Sequence, residues 1–451
     1  MSNSKKSIIV ISSVLIVFVF SFVPGCFGLT SAMTSAVGLF IGCMLLWLTE
    51  ALPISVSTLM MICLLPITGL MSFEKAIESF GVNTSLFIMA SSGITVAISM
   101  SSIPSAVSRF ILDKFKERPK SLVFSVGFAT LFFSAFMSSL AACVLFEGII
   151  SPAFKDTSQN KRIKRCLMIA IPACAGIGGF MSPAGTPANI LIIDVLAKNN
   201  INIDFAFWCV IGFPIGVLTA VLFLGSLILI NKPCEMNAVI EKQSLLGKRD
   251  ISIIIIVSIV IIAWFLTGFV KGLSITMAAL IGLSVMFIPK LDILNIKTFS
   301  EKVNWDLVIT IGSVSVLMTA IADSGIFTFL IKNIFGSITV ENSIIVLAVV
   351  SACVCVIRAF VPTTSAVVAL FTPALISVSA VAGIDLRILM FLLAFWAASA
   401  MLLVYTEPIF LITYKNKCYT QIDLFESGII PSIIMIFTAP VMLMLMLKIF
   451  N

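Results

Sequence analysis

The chain has 451 residues, of which 60% are hydrophobic and only 11% charged; 28 Lys and Arg face 21 Asp and Glu, and there is no histidine. A soluble domain carries about a quarter charged residues, so a water-soluble fold is excluded, and histidine relays and histidine-bearing zinc sites go with it. The formal charge of +7 is spread over short loops rather than gathered into one basic run, which excludes a nucleic-acid partner, and the eleven cysteines form no CxxC pair that would suggest a disulfide or zinc framework.

In chain order, apolar runs of spanning length predict an all-α polytopic membrane protein. Spans are expected near 8–27, 31–48, 53–71, 80–103, 166–197, 205–231, 251–268, 272–289, 305–330, 386–414 and 426–449. The first follows Lys5 and Lys6 but lacks a small-residue cleavage site, so it reads as an N-terminal helix rather than a secretory signal. Two further apolar segments, 121–153 and 341–380, are interrupted by Pro or Gly and carry hydroxyl clusters at their centres, Ser138-Ser139 and Thr363-Thr364-Ser365. Each is expected to be a re-entrant hairpin, because non-helical backbone at membrane depth is tolerated only beside protein or a watery cavity.

With the N-terminus inside and both hairpins re-entrant, 21 Lys and Arg fall in inner loops and 6 in outer ones, with Arg358 inside the membrane. That bias satisfies the positive-inside rule and predicts a cytoplasmic N-terminus in the plasma membrane. The stretches VNTSLFIMASSGITVAISMSSI from Val82 and VNWDLVITIGSVSVLMTAIADSGI from Val303 are alike, and each precedes a hairpin segment. An odd number of crossings per unit makes such repeats inverted, the usual plan of a carrier with its site at the repeat interface. The expected organisation is an N-terminal helix over 1–30, a first repeat over 31–231, a cytoplasmic linker over 232–250 and a second repeat over 251–451.

Three stretches carry a resemblance. MLLWLTEALPISVSTLMMICLLPITGLMS from Met44, GIGGFMSPAGTPANILI from Gly176 and the second-repeat helix from Val303 are similar, in order and spacing, to signatures of the divalent anion/sodium symporter family of dicarboxylate, citrate and sulfate carriers. The resemblance implies about eleven spanning helices plus two hairpins in inverted repeats, usually as a homodimer. It further implies a static scaffold domain and a transport domain that moves elevator-fashion. In that family, Ser-Asn-Thr motifs at the hairpin tips hold sodium and substrate carboxylates opposite unwound GTPPN breaks.

Carried over by position, Ser-Asn-Thr falls on Thr363, Thr364 and Ser365 in the second hairpin and on Ser138, Ser139 and Leu140 in the first, so both asparagines are absent. The first GTPPN reads Gly185, Thr186, Pro187, Ala188, Asn189; the second reads Tyr405, Thr406, Glu407, Pro408, Ile409. The candidate substrate-binding residues are therefore Ser138, Ser139, Thr363, Thr364, Ser365, Thr186, Pro187, Asn189, Thr406 and Arg358. Candidates for the coupling ion, Na+ or H+, are Ser134, Ser138, Gly179 and Glu407. Physical reasons stand beside the carry-over: glycine and proline free backbone amides and carbonyls at the breaks, and serine hydroxyls suit a hard cation or an oxyanion. The bland readings are a glycine-lined packing seam and hydroxyls bonded back to their own helix. Loss of the asparagine oxygens predicts weak or absent sodium dependence.

Arg358 poses the sharpest question, since a cation at membrane depth needs a cavity, an acid or an anionic ligand. It can hold a substrate carboxylate, replace a coupling sodium ion as fixed cationic side chains do in exchangers of the family, pair with Glu407, or snorkel to the surface. A second acid, Glu147, lies in the outgoing arm of the first hairpin. The expected function is secondary transport of a small organic anion, a dicarboxylate, by symport or exchange and without a resident cofactor. The alternatives are a diverged proton-coupled or exchange carrier for another solute, or a non-transporting membrane protein with a decayed site. An enzyme is not expected: there is no HExxH, no GxSxG and no histidine base.

Overall fold

A computed structural model describes residues 3–22, 28–49, 51–115, 117–154, 160–233, 246–270, 272–326, 329, 343–358, 361 and 364–449. Every regular element among them is helical. The helices are α1 (Asn3–Phe22), α2 (Ser31–Thr49), α3 (Ile54–Leu64), α4 (Phe73–Glu78), α5 (Val82–Ser99), α6 (Ile103–Phe115), α7 (Pro119–Phe136), α8 (Ser139–Ala153), α9 (Lys161–Met181) and α10 (Pro187–Lys198). After α11 (Phe205–Asn231) come α12 (Lys248–Leu266), α13 (Ile275–Met286), α14 (Ile296–Lys302), α15 (Trp305–Asp323), α16 (Ser343–Arg358), α17 (Thr364–Ala382), α18 (Leu386–Ala398), α19 (Pro408–Tyr414) and α20 (Gln421–Ile449). Nine helical stretches among the described residues are long and apolar enough to cross a bilayer, and six shorter apolar helices accompany them.

Several expected boundaries shift for identifiable reasons. The first helix begins at Asn3 rather than at residue 8, because hydropathy sees only the apolar part while Ser and Lys extend the helix into its polar flank; the end of the expected span, 23–27, lies outside the described residues. The expected spans 166–197 and 386–414 are each two helices, α9 with α10 and α18 with α19. Between them the chain is extended at Ser182 and Thr186, and again at Leu403 and Glu407, with Val404–Thr406 forming a 3-10 turn between these last two. Pro187 and Pro408 open the second helix of each pair, where a missing N–H costs nothing and the fixed φ suits a first helical residue. The tip of 341–380 precedes Thr364, which already belongs to α17; Thr363 lies outside the described residues.

Helices α7 and α8 meet at Met137 and Ser138, both extended, and pack on each other and on α9. Helices α16 and α17 pack on each other and on α18 in the same manner. Close approaches recur between the two halves about 220 residues apart, as inverted repeats require. A Cβ on Gly212 of α11 would lie 2.6 Å from the Met181 carbonyl oxygen, and one on Gly428 of α20 only 2.0 Å from that of Met401. A glycine therefore lets the long helix of each half lie against the carbonyl at the start of that half's break.

The other helices brace these units. Ser55 of α3 donates to Asp306 of α15, the hydroxyls of Thr58 and Ser313 are 2.8 Å apart, and Ser85 of α5 donates to the Val308 carbonyl at 3.1 Å. These bonds fix the first-half helices α3 and α5 against the second-half helix α15. The buried core is almost entirely aliphatic and aromatic, with α9 and α18 buried along nearly their whole lengths. The two broken helices are thus the centre of the molecule.

Candidate functional site

The two broken helices approach at Gly176, where an added Cβ would sit 2.7 Å from the carbonyl oxygen of Ala398. Only glycine permits that approach, which brings the ends of α9 and α18 together. Each break is then closed by the hairpin tip of its own half.

In the first half the closing groups are hydroxyls. Ser134, buried in the last turn of α7, donates to the Ala175 carbonyl at 2.5 Å and lies 3.0 Å from Ser139 Oγ. Ser139, the first residue of α8, donates to the Gly185 carbonyl from its hydroxyl at 3.2 Å and from its amide at 3.4 Å. Ser138 is the N-cap of α8 and its side chain makes no capping bond, so its hydroxyl stays at the tip. Gly179 makes room for this contact, since a Cβ there would lie 2.3 Å from Ser139 Oγ. Asn189 is wholly buried, and its amide donates to the carbonyls of Gly179 at 2.8 Å and Ser182 at 2.7 Å, clamping the break from behind. Thr186 is a buried N-cap without a capping bond, followed by Pro187 at the start of α10.

In the second half a guanidinium closes the break. Arg358, at the end of α16 and 2% exposed, donates from Nε to the Ala397 carbonyl at 2.9 Å. Its Nη1 donates to the carbonyls of Val361 and Thr406, both at 2.6 Å, and its Nη2 pairs with Glu407. With Pro187 and Pro408 matched as the residues that open α10 and α19, one position away from the motif carry-over, Thr406 and Glu407 fall opposite Gly185 and Thr186, and Arg358 takes a carbonyl near the end of α18 as Ser134 takes one near the end of α9. Thr406 also donates to the Leu403 carbonyl at 2.7 Å. Thr364 and Ser365 occupy the first turn of α17 beside this cluster in sequence; Ser365 is buried and Thr364 half-buried.

Charge in this region is confined to one pair. The segments 134–142, 175–192, 358–369 and 396–409 contain no Asp, Glu, Lys or Arg other than Arg358 and Glu407. A buried pair of this kind offsets its desolvation cost only with further hydrogen bonds, and the carbonyls of Val361, Ala397 and Thr406 supply them to the guanidinium here. Glu147 stands apart from the breaks: it accepts from Asn416 at 2.7 Å and lies 3.7 Å from Lys415, tying α8 to the end of α19.

Several contributors escaped sequence reasoning. Ser182 donates to the Ala135 carbonyl and accepts from the Ala184 amide at 3.1 Å. Gln421 clamps the second break, accepting from the Val404 amide at 2.8 Å and donating to the Leu402 carbonyl at 3.0 Å. Ala175 and Ala397 act through backbone carbonyls, for which an alanine carries no signal. Gln421 had one available signal, a lone amide at the polar start of a long apolar helix.

Two hairpin-like helix pairs closing two broken helices deep in an apolar bundle define a polytopic membrane transporter. The sequence matches the sodium:sulfate symporter transmembrane region over residues 4–449, and the chain belongs to this divalent anion/sodium symporter family. It is 21% identical over 407 residues to an uncharacterized transporter of Haemophilus influenzae, covering 86% of each chain. It is 25% identical over 190 residues to the sodium-dependent dicarboxylate transporter SdcS of Staphylococcus aureus, a match spanning 40% of this chain and 36% of that one. Among solved structures, the Alcanivorax borkumensis YdaH transporter superposes with a TM-score of 0.57 at 12% identity, over 84% of this chain and 88% of its own.

Proposed function

We propose that the protein is a secondary active carrier that moves a small organic anion, a dicarboxylate, across the plasma membrane by alternating access. The observation that carries this reading is the repeated tip-on-break arrangement, made with hydroxyls at Ser134 and Ser139 and with a guanidinium at Arg358. Carbonyl and hydroxyl oxygens around a broken helix suit a small hard cation, and helix N-termini such as those at Ser139, Pro187 and Thr364 suit an anion.

In this reading the first half takes the coupling cation, Na+, at Ser134, Ser138, Ser139 and the backbone beside Gly179. The second half carries its cation permanently as Arg358. The substrate lies between Ser138, Thr186, Pro187 and Asn189 on one side and Thr363, Thr364, Ser365 and Thr406 on the other. The broken helices and hairpins move as one transport domain against a scaffold that includes α3, α5 and α15, in a homodimer with a cytoplasmic N-terminus. The dicarboxylate preference is supported by the partial similarity to SdcS, a sodium-dependent dicarboxylate transporter by name.

Uptake of labelled succinate into proteoliposomes, with and without an inward sodium gradient, tests the reading. The expected result is sodium-stimulated uptake without cooperativity in sodium, reflecting one ion site. Uptake that rises with the square of sodium concentration would remove the role given to Arg358, and lack of uptake of any dicarboxylate or of sulfate would remove the carrier reading. A second reading, coupling by exchange or by a proton on Glu407, is favoured by that acid's place in the second break. It predicts uptake driven by internal dicarboxylate or by a proton gradient alone.

A further inference from the structure

Helix α6 has no counterpart among the spanning helices. It has 13 residues, about 20 Å of helix, and carries Arg109, Asp113 and Lys114, so it neither reaches across nor belongs inside a bilayer. One side, with Pro104, Ser108, Ile111 and Leu112, is buried, and the helix packs on α7 and α8. The other side presents Phe110, 63% exposed, with Lys114 Nζ lying 5.5 Å from its ring centre and 5.8 Å from that of Phe115.

The same surface continues into exposed Glu117, Arg118 and Lys120 as the chain turns into α7. Arg109 is paired with Asp113 at 3.5 Å. Lys114, Arg118 and Lys120 make no ion pair with any described residue, and the acids on this exposed strip are Asp113, taken by Arg109, and Glu117. An exposed aromatic ring needs an apolar medium, and cations within a turn or two of it need phosphate or water. The boundary between acyl chains and headgroups offers both at once. An acidic soluble partner would meet the cations but leave Phe110 unexplained.

We propose that the exposed face of α6 and the elbow into α7 bind the headgroups of anionic phospholipids, with Phe110 set into the acyl boundary. Because α6 joins α5 directly to the first hairpin, the bound headgroups fix the stationary end of the segment that leads into the site. The binding depends on charge and not on the transported solute.

Native mass spectrometry of the full-length protein with equimolar phosphatidylglycerol and phosphatidylcholine measures this directly. The wild type should retain phosphatidylglycerol in preference, and the preference should fall in 0.5 M salt because screening at that strength acts within about 4 Å. Lys114→Gln/Arg118→Gln/Lys120→Gln should lower the preference by about tenfold or more, given that each juxtamembrane cation contributes several-fold to anionic-lipid binding. Lys114→Arg/Lys120→Arg should keep it and Glu117→Gln should raise it. Equal retention of both lipids by the wild type overturns the proposal, as does a salt-independent preference or one that survives the triple substitution. The salt titration needs no variant, so it decides the matter even where the triple variant folds poorly.

Discussion

Arg358 does in the second half what Ser134 does in the first: Ser134 donates to the Ala175 carbonyl near the end of α9, and Arg358 donates to the Ala397 carbonyl near the end of α18. The N-cap of the helix after each break differs as well, Thr186 in one half and Glu407 in the other. The hydroxyls of Ser134 and Ser139 close the first break, and an ion pair closes the second. A buried arginine cannot be introduced alone, because its desolvation must be met by an acid and by hydrogen bonds.

The pair should therefore behave as a unit in stability. Arg358→Gln leaves Glu407 buried without its cation, and Glu407→Gln leaves Arg358 with carbonyls alone; each should cost on the order of 3 to 5 kcal/mol. The double substitution should recover most of that loss, giving a coupling energy far from zero. Melting temperatures of the two single variants and the double variant in one detergent measure it, and additive losses would show that the two side chains do not interact.

Symmetry suggests a gain of function. Arg358→Ser with Glu407→Thr would give the second break the residue types of the first. The expected outcome is a second sodium dependence, seen as a steeper, cooperative rise of uptake or of melting temperature with sodium at constant ionic strength. An unchanged sodium profile in a folded double variant would mean that the carbonyls of Ala397 and Thr406 do not form an ion cage once the guanidinium is gone.

The helical class, the hairpin segments and both breaks were legible in the sequence because hydropathy, glycine, proline and spacing encode them locally. Arg358 and Glu407 were legible as a problem, since two charges in apolar surroundings demand an explanation. Their pairing was not settled, because it depends on how α16 meets the break after α18, a relation of residues 49 apart in the chain. The carbonyl acceptors at Ala175 and Ala397 were invisible, since any residue has a carbonyl and only the fold aims it. The clamp by Gln421 was missed for the same reason: a polar residue at a helix start more often caps or solvates than reaches across to a neighbouring break.

Asn189 should be structural before it is functional. Its amide holds the carbonyls of Gly179 and Ser182 from a wholly buried position, so Asn189→Leu leaves two carbonyls without a donor. A loss of about 1 to 3 kcal/mol per orphaned buried group is expected. Asn189→Asp should be at least as harmful, because it removes the donor and adds a buried charge. Wild-type melting behaviour in either variant, with only the apparent KM for the anion raised, would assign Asn189 to the substrate instead.

Gly179 and Gly185 separate a local effect from a backbone one. A Cβ on Gly179 would meet Ser139 Oγ at 2.3 Å, the end of a side chain that can rotate away. A Cβ on Gly185 would meet the carbonyl oxygens of Gly179 at 2.5 Å and Ser134 at 2.8 Å, which can move only with their helices. Gly179→Ala should therefore fold with a modest loss of stability while displacing Ser139 from the Gly185 carbonyl, which weakens sodium stimulation at the first break. Gly185→Ala should cost about 1 to 3 kcal/mol by overpacking and disturb the tip and the break together. Melting temperature and sodium-dependent uptake measured side by side distinguish the two. If Gly179→Ala retained full sodium stimulation, Ser139 would have no part in the ion site, and the oxygens of Ser134 and Ser138 with the break carbonyls would have to hold the cation alone.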